Sequence, residues 1–304
     1  MTTYDVAVVG LGGMGSAALY HLAKRGARVI GLERHALAHR MGSSHGLTRL
    51  LRVAYAEGSG YVPLVKRARA LWIELGEALG EAIFHQTGHL EIGRPDCGSI
   101  VQALASCRDN DLTYTMRDAA ETMRRSPAWR LPSDFVSLYQ PDAGFVRPEA
   151  AILGHVGLAI AAGAEVRAMT RVASIEPTGH GSVKIKLGDG ATIEAGQAIV
   201  AAGAWIGDLV PALKPITEVR RIPIGWFATE RPDLFAADRF PIWTLEADEG
   251  SYYGAPLHGH PGVKIGGPSS SSVPGHWADD PDTAERGALP RDEPGLRAAL
   301  DRYL

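Results

Sequence analysis

Four side chains able to handle charge or a flat conjugated ring fall within eleven positions of the stretch GSSHGLTRLLRVAYAE (Gly42–Glu57): His45, Arg49, Arg52 and Tyr55. A guanidinium fork suits bidentate capture of a carboxylate, and a fixed cation stabilises negative charge that develops beside it during a reaction. At helical spacing His45, Arg49 and Arg52 share one side while Leu47, Leu51 and Ala54 fall elsewhere, so a solvated helix face is the competing reading. Further along, Lys264 alternates with Val263 and Ile265 as an exposed strand lysine would. Tyr252 and Tyr253 are read as strand aromatics, one of which can face a pocket, and His258 and His260 as surface residues of a hairpin loop.

Chemistry of this kind needs a frame, and the N-terminal DVAVVGLGGMGSAALYHLAKRGARVIGLE supplies one. Val6, Ala7, Val8 and Val9 form the continuous apolar run of a parallel strand buried on both faces. Gly10, Gly12 and Gly15 complete G-x-G-x-x-G: the first for a tight turn, the second for backbone approach to a pyrophosphate, the third for close helix–strand packing. Ala17, Ala18, Leu22 and Ala23 give the helix an apolar face and Gly26 ends it. Val29, Ile30 and Leu32 form the second strand. Glu33 follows about twenty residues beyond Gly12, where a carboxylate binds a ribose 2′-hydroxyl. Strand, glycines, helix and acid together indicate a dinucleotide, and the acid disfavours a 2′-phosphate.

The chain has 304 residues and a formal net charge of -3, which gives no electrostatic reason to expect nucleic acid or a membrane surface. Hydrophobic residues are 45% and charged residues 21%, an ordinary globular balance. The 36 glycines exceed the average share of about 7%, so glycine-rich loops are expected. Cys97 and Cys107 have no partners at metal-ligand spacing, so no metal or disulfide framework is expected and a reducing, cytoplasmic setting fits.

Apolar residues from Tyr61 to Ala82 repeat with a helical period. TGHLEIG (Thr87–Gly93) reads as a strand leaving the first lobe, Ile100–Leu131 as two short helices, and DAGFVRPEA as the entry to a helix ending at Ala162. Strands are expected around Val166 and Val172, then a D-G hairpin from Val183 to Ala195 and a buried strand in AIVAAGAW (Ala198–Trp205). From Val219 the pattern is antiparallel, and Pro294–Leu304 is an amphipathic helix. Beyond the serine run 269–272 there is no low-complexity segment.

Together the fingerprint, GSSHGLTRLLRVAYAEGSGYVPL, TGHLEIG, AAGAW, SYYGAPLHGHPGVKIGG and DPDTAERGALPRDEPGLRAALDRYL resemble the monomeric sarcosine oxidase and N-methyltryptophan oxidase family, FAD-dependent amine oxidases of the D-amino-acid-oxidase fold group. The resemblance covers essentially the whole chain. It implies an α/β (α+β overall) architecture: an FAD-binding, Rossmann-like lobe with a parallel sheet (1–84 and 146–216) and a substrate lobe with a mainly antiparallel sheet (85–145 and 217–304). It implies that Arg52 binds the carboxylate of an N-methyl amino acid, that Arg49 and His45 lie against the flavin, that Tyr55 and Tyr253 line the substrate cavity, and that Lys264 promotes transfer of electrons to oxygen. FAD contacts are implied at Gly10, Gly12, Gly13, Met14, Gly15, Glu33, Arg34, Ser43, His45, Thr48, Arg49, Val172, Gly203 and Trp205.

The implied reaction oxidises a C–N bond to an iminium that water hydrolyses, with oxygen reduced to hydrogen peroxide, in a cytoplasmic monomer. The expected partners are a small amine and oxygen, with neither nucleic acid nor membrane. Two departures stand out: Gly267 and Pro268 replace an aromatic and a histidine of the family pattern, and the family chain continues past Leu304 with a flavin-linking cysteine, a glycine-rich flavin motif and a second carboxylate-binding lysine. A truncated, inactive remnant with weak noncovalent flavin is therefore the alternative expectation, and a nicotinamide-dependent dehydrogenase the other.

Overall fold

The computed structural model describes residues 4–268, 277–278 and 280–304, so the serine run at 269–272 lies outside the described residues. Its contacts divide the chain into two compact units, Met1–Leu47 with Arg147–Val219 and Ala278–Ala284, and Thr48–Val146 with Arg220–Trp277 and Glu285–Leu304.

The chain begins in the first unit with β1 (Tyr4–Val9), α1 (Gly13–Lys24) and β2 (Val29–Leu32). It then builds much of the second unit: β3 (Arg49–Leu51), α2 (Val62–Leu79), β4 (Phe84–Gln86), β5 (His89–Gly93) and α3 (Gly98–Asp109). β6 (Thr115–Asp118), α4 (Ala119–Arg125), β7 (Val136–Gln140) and β8 (Gly144–Val146) complete that passage. The return to the first unit comprises α5 (Pro148–Ala161), β9 (Glu165–Arg167), β10 (Val172–Pro177), β11 (Val183–Leu187), β12 (Thr192–Val200) and α6 (Ile206–Leu209). After β13 (Val219–Arg220) come β14 (Ile224–Ala228), β15 (Ile242–Ala247), β16 (Gly250–Ala255), β17 (Gly262–Gly266) and α7 (Asp292–Tyr303).

The first unit is a six-stranded sheet in the order β10-β11-β12-β1-β2-β9. β12, β1, β2 and β9 run parallel, and β10, β11 and β12 form an antiparallel extension. Strand period 2 explains the apolar run of β1. Ala7 and Val9 join Ile30, Leu32 and Ile193 in one core, while Val8 joins Leu19, Ala23 and Val156 of α1 and α5 in another. Burying each such valine or leucine is worth roughly 1.5–3 kcal/mol over leaving it exposed. Two expectations need correction. The hairpin arm and the following strand are one nine-residue strand, β12, whose N-terminal part (Thr192–Ala195) pairs with β11 and whose remainder from Ala195 to Val200 pairs with β1. Its last three residues are not buried, and Ile199 is 38% exposed.

The second unit holds a seven-stranded sheet in the order β14-β17-β16-β15-β5-β7-β6, antiparallel except where β15 meets β5. Its two faces differ in kind. Leu90, Ile92, Trp243, Leu245, Tyr252, Val263 and Ile265 pack with Leu296, Ala299 and Tyr303 of α7 and Ala119 of α4. The alternate residues His89, Glu91, Thr244, Tyr253, Lys264 and Trp226 occupy the other face, as the registers Glu91↔Thr244, Thr244↔Tyr253 and Lys264↔Trp226 require. α7 is anchored by Arg221, whose guanidinium donates to both Asp292 oxygens at 2.7 and 2.6 Å. The two helices expected in Ile100–Leu131 are present as α3 and α4, with β6 between them.

Residues 48–84 were expected in the nucleotide-binding lobe, yet they pack with the second unit. β3 and β4 both pair antiparallel with β8, and that pairing draws α2 between them into the same body.

Candidate functional site

In the first unit the glycine turn closes on itself. Gly10 has φ +88°, and a Cβ there would lie 2.5 Å from the Ala201 carbonyl oxygen; a Cβ on Gly15 would lie 1.8 Å from the Gly10 oxygen. Those two glycines are demanded by packing within the protein. Gly12 is different: its φ is -70° and a Cβ would meet no atom within 4 Å. The peptide N–H groups of the first turn of α1 begin here, with no side chain capping them from Gly12, so the helix end presents donors to an anionic group. The Gly13 N–H donates to Ser44 Oγ at 3.2 Å, and Met14 is 83% exposed.

Glu33 is 5% exposed. Its Oε2 accepts from the Leu11 N–H at 2.8 Å, its Oε1 accepts from the His35 N–H at 2.9 Å, and His39 Nε2 lies 3.3 Å from Oε1. The carboxylate thus ties the glycine turn to the end of β2, and each oxygen keeps acceptor capacity for a ribose hydroxyl. Burial pushes the His35 imidazole below its ordinary pKa, with repulsion from His39 adding to it. Arg34 pairs with Asp282 at 2.8 Å and lies 5.5 Å from the Trp205 ring, whose Nε1 donates to the same carboxylate at 2.6 Å. Gly203, with φ +55°, opens the 3-10 turn that carries Trp205. Val172 has its side chain in the core beside Ile185 and Leu187, which leaves only its backbone for a ligand.

The loop bearing Ser43 and His45 is held from a residue that sequence reasoning missed. Glu149, in the first turn of α5, accepts from the Gly46 N–H at 2.6 Å and the Leu47 N–H at 3.2 Å. Both donors have positive φ, +90° at Gly46 and +68° at Leu47. That bend breaks any helix through His45, Arg49 and Arg52, and the solvated-helix alternative fails: Arg49 lies in strand β3, opposite Val146. Ser43 is exposed and His45 half-buried.

In the second unit, Thr48 is the meeting point. Its carbonyl oxygen accepts from Arg49 Nη1 at 2.9 Å and from Lys264 Nζ at 2.8 Å, and its hydroxyl oxygen accepts from Lys264 at 2.9 Å. Lys264 is 2% exposed, so the competing reading of an ordinary exposed strand lysine fails. Strand alternation said which side it faces but not that the side is covered. Its ammonium also stands 5.5 Å from the Trp226 ring. Tyr253 is half-buried on the same face; burial raises the pKa of its phenol, and the Arg49 charge partly opposes that rise. Tyr252 points into the apolar core instead.

Arg52 follows β3 and pairs with Glu57 at 2.6 Å, its guanidinium 4.8 Å from the centre of the Tyr55 ring. Burial disfavours its charge, but the hydrogen bond and attraction from Glu57, with Glu91 further off, hold its pKa above the ordinary value. Two buried groups missed from the sequence lie on β5, His89 and Glu91. The signal was their alternation with Leu90 and Ile92. His258 is also corrected: it is half-buried and packs 4.9 Å from the His85 ring and 4.8 Å from Phe145, whereas His260 is exposed.

The first unit therefore gathers Gly10, Gly12, Gly13, Met14, Gly15, Glu33, Arg34, Ser43, His45, Val172, Gly203 and Trp205, and the second Thr48, Arg49, Arg52, Tyr55, Tyr253 and Lys264. The profile of the family described as "FAD dependent oxidoreductase" matches residues 5–304. A monomeric sarcosine oxidase of Streptomyces avermitilis is 39% identical over 256 residues, spanning 84% of this chain and 66% of its own length. An N-methyl-L-tryptophan oxidase of Salmonella arizonae is 36% identical over 264 residues, 86% of this chain and 69% of its own. The crystal structure of NikD, an unusual amino acid oxidase essential for nikkomycin biosynthesis, superposes with a TM-score of 0.81 at 27% identity, covering 100% of this chain and 78% of NikD. The chain spans about two thirds of the length of these two oxidases. The open space at Gly12, the start of α1 with no side-chain cap from Gly12 itself and the buried Glu33 suit the pyrophosphate and ribose of a dinucleotide, and with the match across nearly every residue they place this chain in the FAD-dependent oxidoreductase family.

Proposed function

We propose that the protein oxidises the C–N bond of a secondary amine bearing a carboxylate, of the sarcosine or N-methyltryptophan type, with oxygen as electron acceptor and hydrogen peroxide as product. Bound FAD would supply the two-electron oxidation. Gly10, Gly12, Gly13, Gly15 and Glu33 would hold its pyrophosphate and ribose, with Arg34, Ser43, His45, Val172, Gly203 and Trp205 completing the contacts. The observation that carries the reading is the convergence of two cations, Arg49 and Lys264, on Thr48, with Arg52 three residues further along. A site so charged favours groups that gain electron density.

Arg52 would take the substrate carboxylate. Its present partner, Glu57, is 55% exposed at its side chain where Arg52 is 19% exposed, so Glu57 can turn out to water while a substrate carboxylate takes its place beside the guanidinium. Tyr55 and Tyr253 offer apolar ring faces to the amine, and the neutral Tyr253 hydroxyl can donate a hydrogen bond. Lys264 would keep a fixed positive charge near the reduced ring, where oxygen must acquire electrons. The matched oxidases support the amine class, and the one named monomeric supports a monomer. Both cysteines are free, in keeping with a reducing cytoplasm, and no helix among the described residues is long and apolar enough to cross a membrane.

The test is flavin absorbance after loading with FAD, followed by bleaching on anaerobic addition of sarcosine or N-methyltryptophan and peroxide release on admitting oxygen. Flavin that binds yet is not bleached by any N-methyl amino acid refutes the proposal.

A further inference from the structure

Within the first unit, the loop at 42–47 is slung between the starts of two helices. Near one end Ser44 Oγ accepts from the Gly13 N–H at 3.2 Å, so its hydroxyl stands at the first turn of α1, next to Gly12 where a Cβ would meet nothing within 4 Å. At the other end Glu149 Oε1, in the first turn of α5 behind Pro148, accepts from two successive amides, Gly46 at 2.6 Å and Leu47 at 3.2 Å. The helix dipole favours an acid at that place. α1 and α5 pack on each other through Leu19, Ala23, Val156 and Ala159, and the Tyr20 ring stacks on His155 at 5.6 Å. Their starts are held at a fixed separation, and so are the two anchors of the loop.

The backbone at the Glu149 end is bent against local preference. Gly46 has φ +90° and Leu47 φ +68°. Glycine adopts this left-handed region freely, but a residue with a Cβ is disfavoured there, and leucine lacks the short polar side chain that eases it for asparagine. The Leu47 side chain is 36% exposed, so burial compensates little. Backbone of this kind persists only where its surroundings over-determine it, and it clusters at ligand clamps and functional sites. The contact that opposes relaxation here is Glu149, which takes both N–H groups on one oxygen.

We propose that Glu149 is a positioning residue of the cofactor site: it holds the loop at 42–47 in the bent form that keeps the Ser44 hydroxyl at the start of α1, so that FAD finds its pyrophosphate contacts already in place. The Ser44 oxygen accepts from Gly13, which leaves the hydroxyl proton for a phosphate oxygen. Without Glu149 the chain relaxes at Leu47, a smaller share of molecules has the loop in place, and apparent affinity falls by that share. The inference rests on membership of the FAD-dependent family and not on the amine reaction.

The test titrates the full-length chain, prepared without flavin, with FAD by flavin fluorescence, beside thermal melts of the same samples. Glu149→Ala should raise the FAD Kd at least tenfold. Glu149→Gln keeps an acceptor oxygen for both amides and should stay within threefold of wild type. Adding Leu47→Asn to Glu149→Ala should restore affinity at least threefold, because asparagine tolerates the left-handed region; a general loss of stability would not be reversed in this way. Calorimetric titration with ADP, which carries the pyrophosphate without the flavin, should rank the variants in the same order. An FAD Kd for Glu149→Ala within threefold of wild type, or a lowered melting temperature with unchanged affinity for FAD and ADP, overturns the assignment. If Glu149→Ala fails to fold, Glu149→Asp decides alone: its carboxylate is one methylene short of the amides, and an unchanged FAD Kd there overturns the assignment. No turnover is read, so failure of the proposed amine reaction is told apart from failure of this inference.

Discussion

Replacing Gly12 and Gly15 separately by alanine should split cofactor binding from folding. At Gly15 the new Cβ would sit 1.8 Å from the Gly10 oxygen, where carbon and oxygen need roughly 3 Å, so α1 must move from the turn by more than 1 Å. Overpacking of that size costs about 1–3 kcal/mol or more. At about 2–4 °C per kcal/mol for a chain of this order, the cofactor-free protein should melt several degrees lower. At Gly12 the backbone is already in a region alanine adopts and a Cβ meets nothing within 4 Å. Its effect on the cofactor-free protein should be at most about 1 kcal/mol, the difference between glycine and alanine at a helix N-cap. The same methyl would stand where the pyrophosphate approaches the helix end, and a loss of about 1.4–2.8 kcal/mol would weaken FAD 10–100-fold. Calorimetric melting without FAD and titration by flavin fluorescence measure the two effects. Equal loss of melting temperature in both variants, or wild-type FAD affinity in Gly12→Ala, would show that the glycines do not divide these tasks.

Lys264→Met should leave the Thr48 hydroxyl oxygen without its buried donor and the Thr48 carbonyl with Arg49 alone, costing about 1–3 kcal/mol, and should slow reoxidation of the reduced enzyme by oxygen in stopped-flow more than reduction by amine. Arg52→Ala should raise KM for carboxylate-bearing amines at least tenfold, a loss of about 2–5 kcal/mol for a charge-assisted pair, while leaving FAD bound; kinetics within twofold of wild type would contradict the assignment. Because the His89 pKa falls from 6.5 in the unfolded chain to about 3 in the fold, the folded state binds fewer protons between those values, and its stability is lost as pH falls. Denaturant melts of His89→Gln should show a shallower decline over that window, by up to roughly 1.4 kcal/mol per pH unit. Glu91 has the opposite sign: its raised pKa means that stability is lost as pH rises past about 4.5, and Glu91→Gln should remove that loss. Glu149→Ala should speed hydrogen exchange at the Gly46 and Leu47 amides at least tenfold, since both donate to its carboxylate.

The βαβ unit was legible because every local cue agreed: the apolar run of β1, the glycine spacing and the acid after β2 each demand the same turn. The arginine segment was legible as chemistry but not as structure. Its strand depends on pairing with Gly144–Val146, nearly a hundred residues away, and on two positive-φ residues that composition does not announce. Lys264 could pass for a surface residue on pattern alone, because alternation tells which side of a sheet a residue takes and nothing about what covers that side. His89 and Glu91 escaped notice for a related reason: in a short strand, polar residues at every second place are the ordinary mark of a wet face. Only the coordinates show that this face is dry.

The division of labour within β5 bears on how such a protein changes over generations. Leu90 and Ile92 hold the unit together on one side, and His89 and Glu91 meet the opposite side. Substitutions at the two sets touch different side-chain neighbours but share one strand of backbone, so their effects on stability should be partly coupled. A lineage that exchanges the residue at 89 or 91 must re-satisfy a buried polar face while the apolar face beneath is inherited. A strand of five residues thus answers to two constraints at once, an apolar one on one side and a polar one on the other.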